Sequence, residues 1–137
     1  MRQTSVENET IHILVVDDEP LIRQAICALL KMEAGVRVSE AASGVDAIAL
    51  AAALHPDLIL LDLHLQDMHG LQVIYDVLSR QPQMRIVLCS ASASDEQIAA
   101  GLYAGACWFT SKSELGNQLS RVIDEAQVGQ QARLALA

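Results

Sequence analysis

The stretch Ile11-His12-Ile13-Leu14-Val15-Val16-Asp17-Asp18-Glu19-Pro20 decides how the rest of the chain is read. Its first six residues are mostly β-branched aliphatics, and they stop at two adjacent aspartates. So short and apolar a run reads as a strand buried on both faces. Pro20 then suits the first turn of a helix, where its missing N–H has no partner to lose. Ile22, Ala25, Ile26, Leu29 and Leu30 recur at helical spacing and give that helix one apolar face. Gly35 marks a stop.

Working outward, the same alternation repeats. Val36–Ala41 reads as a weaker strand, alternating as an edge does. Ser43 caps a second helix, with Asp46 three residues on, and Pro56 ends it near His55. Asp57-Leu58-Ile59-Leu60-Leu61-Asp62 is a second strongly apolar strand. Gly70 is read as breaking the loop that follows it. Leu71, Ile74, Val77 and Leu78 form a third helix, ended near Gln81-Pro82. Met84–Ser90 is a fourth strand, and Ser94 with Gln97 makes a reciprocal cap for a fourth helix. The apolar face of that helix is thin, chiefly Ile98 and Leu102. Cys107-Trp108-Phe109-Thr110 is a fifth strand, and Leu115, Leu119, Val122, Ile123 and Ala126 mark a fifth helix. The ends look loose: Met1–Thr10, and Gln127–Ala137, where Gly129 and Gln130-Gln131 interrupt the pattern. Strands alternating with helices imply an α/β, doubly wound, five-stranded parallel sheet with helices on both faces. Such sheets place their sites at the carboxyl ends of the strands.

Composition narrows the function classes. The chain has 137 residues and a net charge of −8, with 52% hydrophobic and 19% charged residues. That is one domain with enough apolar side chain for a core, so wholesale disorder is excluded. The acidic balance argues against nucleic acid and anionic membranes as partners, since both select clustered Lys and Arg. The longest apolar run, Ala47–Leu54, is far too short to span a membrane. Met1–Thr10 is polar and lacks an export signal's apolar core. Three cysteines, Cys27, Cys89 and Cys107, fit reduced thiols in a cytoplasmic setting and read as small core residues.

At the carboxyl ends of these strands stand Asp17-Asp18, Asp62 and Ser90, with Lys112 just past the fifth. If strands one, three, four and five are neighbours, three carboxylates, a hydroxyl and an ammonium share one pocket. Two carboxylates about 5 Å apart repel by roughly 3 kcal/mol at an effective dielectric near 20. Lys112 supplies one positive charge, and a hard divalent ion that keeps its waters supplies the rest. Such a metal can also clamp a phosphoryl group, and one carboxylate can then act as nucleophile and form an acyl phosphate. Each residue alone has a plainer reading. Asp17 and Asp18 can cap a helix, Ser90 lies among small residues, and Lys112 can be a solvated lysine. The conjunction carries the inference. His12 and His55 read as structural, and His64 and His69 lack further ligands for a zinc site.

These residues resemble the receiver domain of a two-component response regulator. The resemblance rests on ILVVDDEP (13–20), LILLDLHLQDMHG (58–70), IVLCSA (86–91) and AGACWFTSK (104–112). It spans about residues 11–126, with 1–10 a flexible N-terminus and 127–137 a helix extension, tail or linker stub. It implies the flavodoxin-like strand order 2-1-3-4-5. It implies Asp62 as phosphoacceptor from a sensor histidine kinase. Asp17, Asp18, Asp62 and the backbone carbonyl of His64 would hold Mg²⁺ or Mn²⁺. Lys112 and Ser90 would bind the phosphoryl oxygens, Ala91 would leave room for them, and Phe109 would be an aromatic switch coupled to Ser90. The face made by the fourth helix, fifth strand and fifth helix would meet an output partner or a second copy. AGACWFTSKSEL is similar to the NarL/FixJ branch, whose members usually carry a C-terminal helix-turn-helix.

Four positions depart from the common pattern: Gln66 for Pro, His69 for Asn or Asp, Ser90 for Thr, and Ser113 for a cis Pro. A trans Lys112–Ser113 bond is expected, because a non-proline cis bond costs about 2.5–4 kcal/mol. Other classes fit less well. A cobalamin module wants Gly where Asp67 stands. A flavodoxin phosphate loop would be repelled by Asp17-Asp18-Glu19, and a Rossmann dehydrogenase needs a glycine turn that is absent. A haloacid-dehalogenase-like phosphatase wants a second Asp where His64 stands. The runner-up is a receiver-like interaction module that works without phosphorylation.

Overall fold

The computed structural model describes residues 10–136, so the expectation for Met1–Thr10 lies, Thr10 apart, outside the described residues. Five strands form one parallel sheet: β1 (Ile11–Val16), β2 (Val36–Ala41), β3 (Leu58–Leu61), β4 (Arg85–Ser90) and β5 (Trp108–Ser111). Their order is β2-β1-β3-β4-β5, the flavodoxin-like one. Five helices connect and follow them: α1 (Pro20–Lys31), α2 (Gly44–Leu54), α3 (Gly70–Arg80), α4 (Asp95–Ala104) and α5 (Leu119–Ala135).

The period of two along each strand divides the core into two layers. Leu14, Val16, Ile59, Leu61, Ile86 and Leu88 face α2 and α3 through Ala47, Ala51, Val73, Ile74 and Val77. Ile13, Val15, Leu58, Leu60, Val87 and Cys89 face α1 and α5 through Ile26, Leu30, Val122 and Ala126. Leu14, Leu58, Ile59 and Leu61 are wholly excluded from solvent. Each such side chain contributes about 1.5–3 kcal/mol of burial. Edge strands β2 and β5 are only partly covered, which explains the weaker pattern of Val36–Ala41.

Local chemistry sets the helix starts. Pro20 opens α1, Ser43 Oγ accepts from Asp46 N, and Ser94 with Gln97 forms the full reciprocal cap of α4. Three readings change. Gly70 is the first residue of α3 rather than a loop breaker: a Cβ there would sit 2.8 Å from Leu63 Cα. Leu115 belongs to a separate 3₁₀ turn, Leu115–Asn117, closed by i→i+3 bonds such as Gln118 N to Leu115 O. Gly116 and Asn117 disfavour the α-helix, and Leu115, ahead of α5, is buried in the same core layer as Val122 and Ala126. Finally, residues 127–135 are not loose, because α5 runs unbroken to Ala135. Gly129 is a closest-approach point, not a break: a Cβ there would fall 1.9 Å from the Asp57 carbonyl oxygen. Beside it, Arg133 Nε donates to Asp57 Oδ1 at 2.8 Å.

Candidate functional site

The ladder extends one residue past three strand ends, and this builds the site. Asp17 N donates to Ala41 O at 3.2 Å, Asp62 N to Val16 O at 3.1 Å, and Lys112 N to Ser90 O at 3.0 Å. Asp17, Asp62 and Lys112 are thereby held on the carboxyl rim of the sheet as firmly as strand residues.

Their side chains converge. Lys112 Nζ lies 2.6 Å from Asp17 Oδ2 and 3.2 Å from Asp62 Oδ2. Asp17 and Asp62 are 1% and 5% exposed, so one ammonium serves two buried carboxylates. Asp18 stands beside them, half-buried. One oxygen from each of the three aspartates falls within 4.8 Å of the others. Burial works against the Lys112 charge, but its bonds to Asp17 and the negative charge of Asp62 outweigh it and hold its pKa above the ordinary lysine value.

Backbone donors fix one further oxygen of each aspartate. Asp17 Oδ1 accepts from Glu19 N at 2.9 Å, Asp62 Oδ1 from His64 N at 3.1 Å, and Asp18 Oδ2 from Gln66 N at 2.9 Å. The Ser90 hydroxyl is buried and has no hydrogen-bond partner among the described residues. The resulting concavity, about 430 Å³, is lined by Asp18, Asp62, His64, Ser90, Ala91 and Lys112 among others. Asp17 lies behind this lining. The donor set is all carboxylate oxygen with an idle hydroxyl, which fits a hard cation and does not fit a soft one. Cys89 is not a rival nucleophile: burial pushes its thiol up to about 12.

Every sequence-expected side chain except Phe109 meets at this rim. Phe109, on β5, is half-buried against the core layer that contains Leu88. No cis peptide occurs among the described residues, so Lys112–Ser113 is trans as expected. His69 takes the N-cap of α3, its Nδ1 accepting from Leu71 N at 3.1 Å.

Two residues escaped the sequence reading. Asp67 reaches from the loop after β3 to the start of α2, accepting from Gly44 N at 2.8 Å and Val45 N at 2.9 Å. Those backbone bonds hold its carboxyl below the usual range. Arg23, on α1, donates to the Asp17 carbonyl at 2.7 Å and to Glu40 Oε1 at 3.0 Å. The bonds of Asp67 to α2 and of Arg23 to Glu40 join elements 17 or more residues apart, and the Arg23 bond to the Asp17 carbonyl falls across a strand–helix turn, so no helical or strand spacing announces them.

A second concavity, about 440 Å³, opens on the opposite rim between His55, Pro56, Met84, Gly129 and Arg133. Among the described residues it gathers no cluster of acidic or nucleophilic side chains.

Residues 13–124 match the response regulator receiver domain family. The chain is 31% identical over 120 residues to the DNA-binding transcriptional activator DevR/DosR of Mycobacterium tuberculosis, covering 87% of this chain and 55% of that protein. It is 33% identical over 123 residues to the nitrate/nitrite response regulator protein NarL of Escherichia coli, covering 89% and 57%. The chain thus spans about half the length of these curated relatives. Among solved structures, the signal receiver domain of the putative response regulator NarL from Mycobacterium tuberculosis superimposes with a TM-score of 0.81 at 32% identity, covering 87% of this chain and 98% of that one. A CheY-like receiver domain protein from Methanospirillum hungatei gives 0.80 at 28%, covering 90% and 98%. The chain belongs to the response regulator receiver domain family, a class of signalling domains of two-component systems. Within that family it falls with the NarL group.

Proposed function

We propose that this domain accepts a phosphoryl group from a phosphohistidine of a sensor histidine kinase onto Asp62, and that the new charge changes the face it offers to an output partner. The observation that carries this reading is the convergence of three aspartate oxygens within 4.8 Å, two of the three carboxylates sharing a single ammonium.

An Asp62 oxygen forms the bond to phosphorus as the P–N bond to the donor imidazole breaks, and the imidazole nitrogen keeps that electron pair. Asp17, Asp18, Asp62 and the His64 backbone carbonyl would hold Mg²⁺, or Mn²⁺ in its place. When bound, the ion supplies positive charge to offset the carboxylates and the transferring oxygens. Lys112, already between Asp17 and Asp62, neutralises one phosphoryl oxygen. The Ser90 hydroxyl, buried and unpartnered, has a bond to give to another. Ala91 at the lining leaves space beside it. The domain acts on no separate substrate; its chemistry is its own phosphoryl transfer and the later hydrolysis of the acyl phosphate.

Movement of Ser90 toward the phosphate vacates space toward which Phe109 turns, and a two-state element is biased by one new charge. The face affected is α4–β5–α5, where Leu102 and Tyr103 are exposed, Tyr103 by 95%, and Arg121 stacks 4.6 Å over Trp108. A second copy or an output partner meets it there. Three free cysteines accord with a cytoplasmic setting.

Incubation with Mg²⁺ and acetyl phosphate tests the reading by intact mass. Wild type should gain one phosphoryl mass, while Asp62→Asn, or wild type with the divalent ion chelated, should gain none. A wild type that gains nothing from several small donors and from a kinase phosphohistidine would leave a phosphorylation-independent interaction module in its place.

A further inference from the structure

We infer that Arg23 is a positioning residue for the acidic pair, holding the Asp17–Asp18 peptide so that the carboxylates stand ready for a divalent cation. This rests on the reading of the rim as a cation site. The Asp17 carbonyl belongs to the peptide that joins the two aspartates. Arg23 Nη1 donates to that carbonyl at 2.7 Å, and Arg23 Nε donates to Glu40 at 3.0 Å. Glu40 precedes Ala41, whose own carbonyl accepts from Asp17 N at 3.2 Å. The two ends of Asp17 are therefore tied to adjacent residues of β2, one directly and one through the guanidinium. Such a tie fixes the backbone angles on either side of the Asp17–Asp18 bond, and with them the direction of the Asp18 side chain.

A tie of this kind is needed because the turn carries adjacent carboxylates beside a third. Without the guanidinium, only the bond from Gln66 N at 2.9 Å opposes the mutual repulsion that swings Asp18 out to solvent. The Arg23 side chain is only 15% exposed, whereas Glu40 is 42% exposed, so the ion pair itself is partly hydrated. Its contribution to stability is small, and its geometric role is the larger one. The planar fork of arginine spans two acceptors at once, which a lysine ammonium cannot reproduce.

Charge and position act in opposite directions here, and this makes the idea testable. If Arg23 mattered only as a positive charge near three carboxylates, its removal would tighten cation binding. If it holds the peptide, its removal weakens binding. Residues that orient metal ligands typically change affinity by about 10–100-fold when altered.

The experiment is a Mn²⁺ titration of the phosphate-free protein, followed by electron paramagnetic resonance of free Mn²⁺. Arg23→Gln and Arg23→Lys should each bind about tenfold more weakly than wild type, with far-ultraviolet circular dichroism unchanged. Arg23→Lys keeps the charge and guards against a misfolded Arg23→Gln. In the absence of metal, the amide of Glu19, which donates to Asp17 Oδ1 at 2.9 Å, should exchange faster in Arg23→Lys, while those of Ile59 and Leu60 stay protected. Unchanged or tighter Mn²⁺ binding in both variants overturns the inference while leaving the cation site intact. A wild type that binds neither Mn²⁺ nor Mg²⁺ overturns the reading of the rim itself.

Discussion

Strand β3 has an aspartate just outside each end, and the two buried carboxylates live in opposite circumstances. Asp57, on the amino rim, is 2% exposed. Its Oδ1 accepts from Arg133 Nε at 2.8 Å and its Oδ2 from His12 N at 2.8 Å. It has one cation for one carboxylate, with both oxygens bonded. Asp62, on the carboxyl rim, is 5% exposed and shares one ammonium with Asp17, while Asp18 crowds the same space. Beside it the Ser90 hydroxyl has no partner among the described residues. Burial alone therefore does not separate a structural acid from a reactive one. Charge accounting does: both oxygens of each are bonded, but a carboxylate with a cation of its own stiffens the fold, whereas one that shares its cation marks where an added cation relieves the imbalance.

If Asp57 is structural, its removal must destabilise strongly. Asp57→Ala leaves the His12 amide without its acceptor and Arg133 without its counter-ion. Arg133 is 42% exposed and recovers water, so the loss falls at the low end for a broken buried pair, about 3 kcal/mol. Urea unfolding measures it, and a loss under about 1 kcal/mol would sink the assignment. Gly129→Ala should follow at about 2 kcal/mol, because its Cβ would press on the Asp57 carbonyl. That variant should also loosen residues 127–135 in amide exchange. Unchanged protection there would mean that α5 tolerates standing further from β3.

These two rims also differ in how far the sequence disclosed them. The strands were legible because short aliphatic runs end at Asp or Ser. The layers followed from period-two alternation. The strand order did not, since periodicity carries no neighbour information; the resemblance carried it. On the carboxyl rim, adjacency of Asp17 and Asp18 and an acid closing an aliphatic strand were visible signals. On the amino rim, Asp57 passed as the first residue of a strand, because Arg133 lies 76 positions away. Gly129 read as a helix interruption for the same reason: what makes glycine fit there is a carbonyl on another element. Arg23 and Asp67 were likewise ordinary polar residues until the fold brought their partners to them.

A third experiment sharpens the contrast at the crowded rim, where removing an acid should stabilise rather than destabilise. Asp18 has no ion pair among the described residues, and its bond to Gln66 N can be kept by an amide oxygen. Asp18→Asn should therefore raise metal-free stability by about 1 kcal/mol by relieving repulsion from Asp17 and Asp62. Mg²⁺ at about ten times its dissociation constant should add about 1.4 kcal/mol to wild type. That increment should shrink in Asp18→Asn and persist in Asp57→Ala. If Asp18→Asn weakens the metal-free fold, crowding is not the source of the rim's imbalance.

The smallest expected effect concerns Glu125, which takes the satisfied pattern further than Asp57 does. This α5 carboxylate bonds Arg85 through Oε1 and Arg121 through Oε2, the latter at 3.2 Å. Burial alone would raise its pKa, but the bonds to Arg85 and Arg121 outweigh burial and hold it below the ordinary glutamate value of 4.5. A lowered folded pKa means that the unfolded chain takes up the proton first. The pair's stabilisation is then whole above about pH 4.5 and fades as pH falls through the folded value. Wild type should lose stability faster than Glu125→Gln in that window. The difference should stay below about 1 kcal/mol, because Arg121 is half exposed and its pairing is screened. Subtracting the two urea-midpoint profiles cancels the titration of the distant aspartates at the other rim. Parallel profiles from pH 6 down to pH 3 would show that Glu125 is paired no better folded than unfolded, and would place it with neither kind of carboxylate.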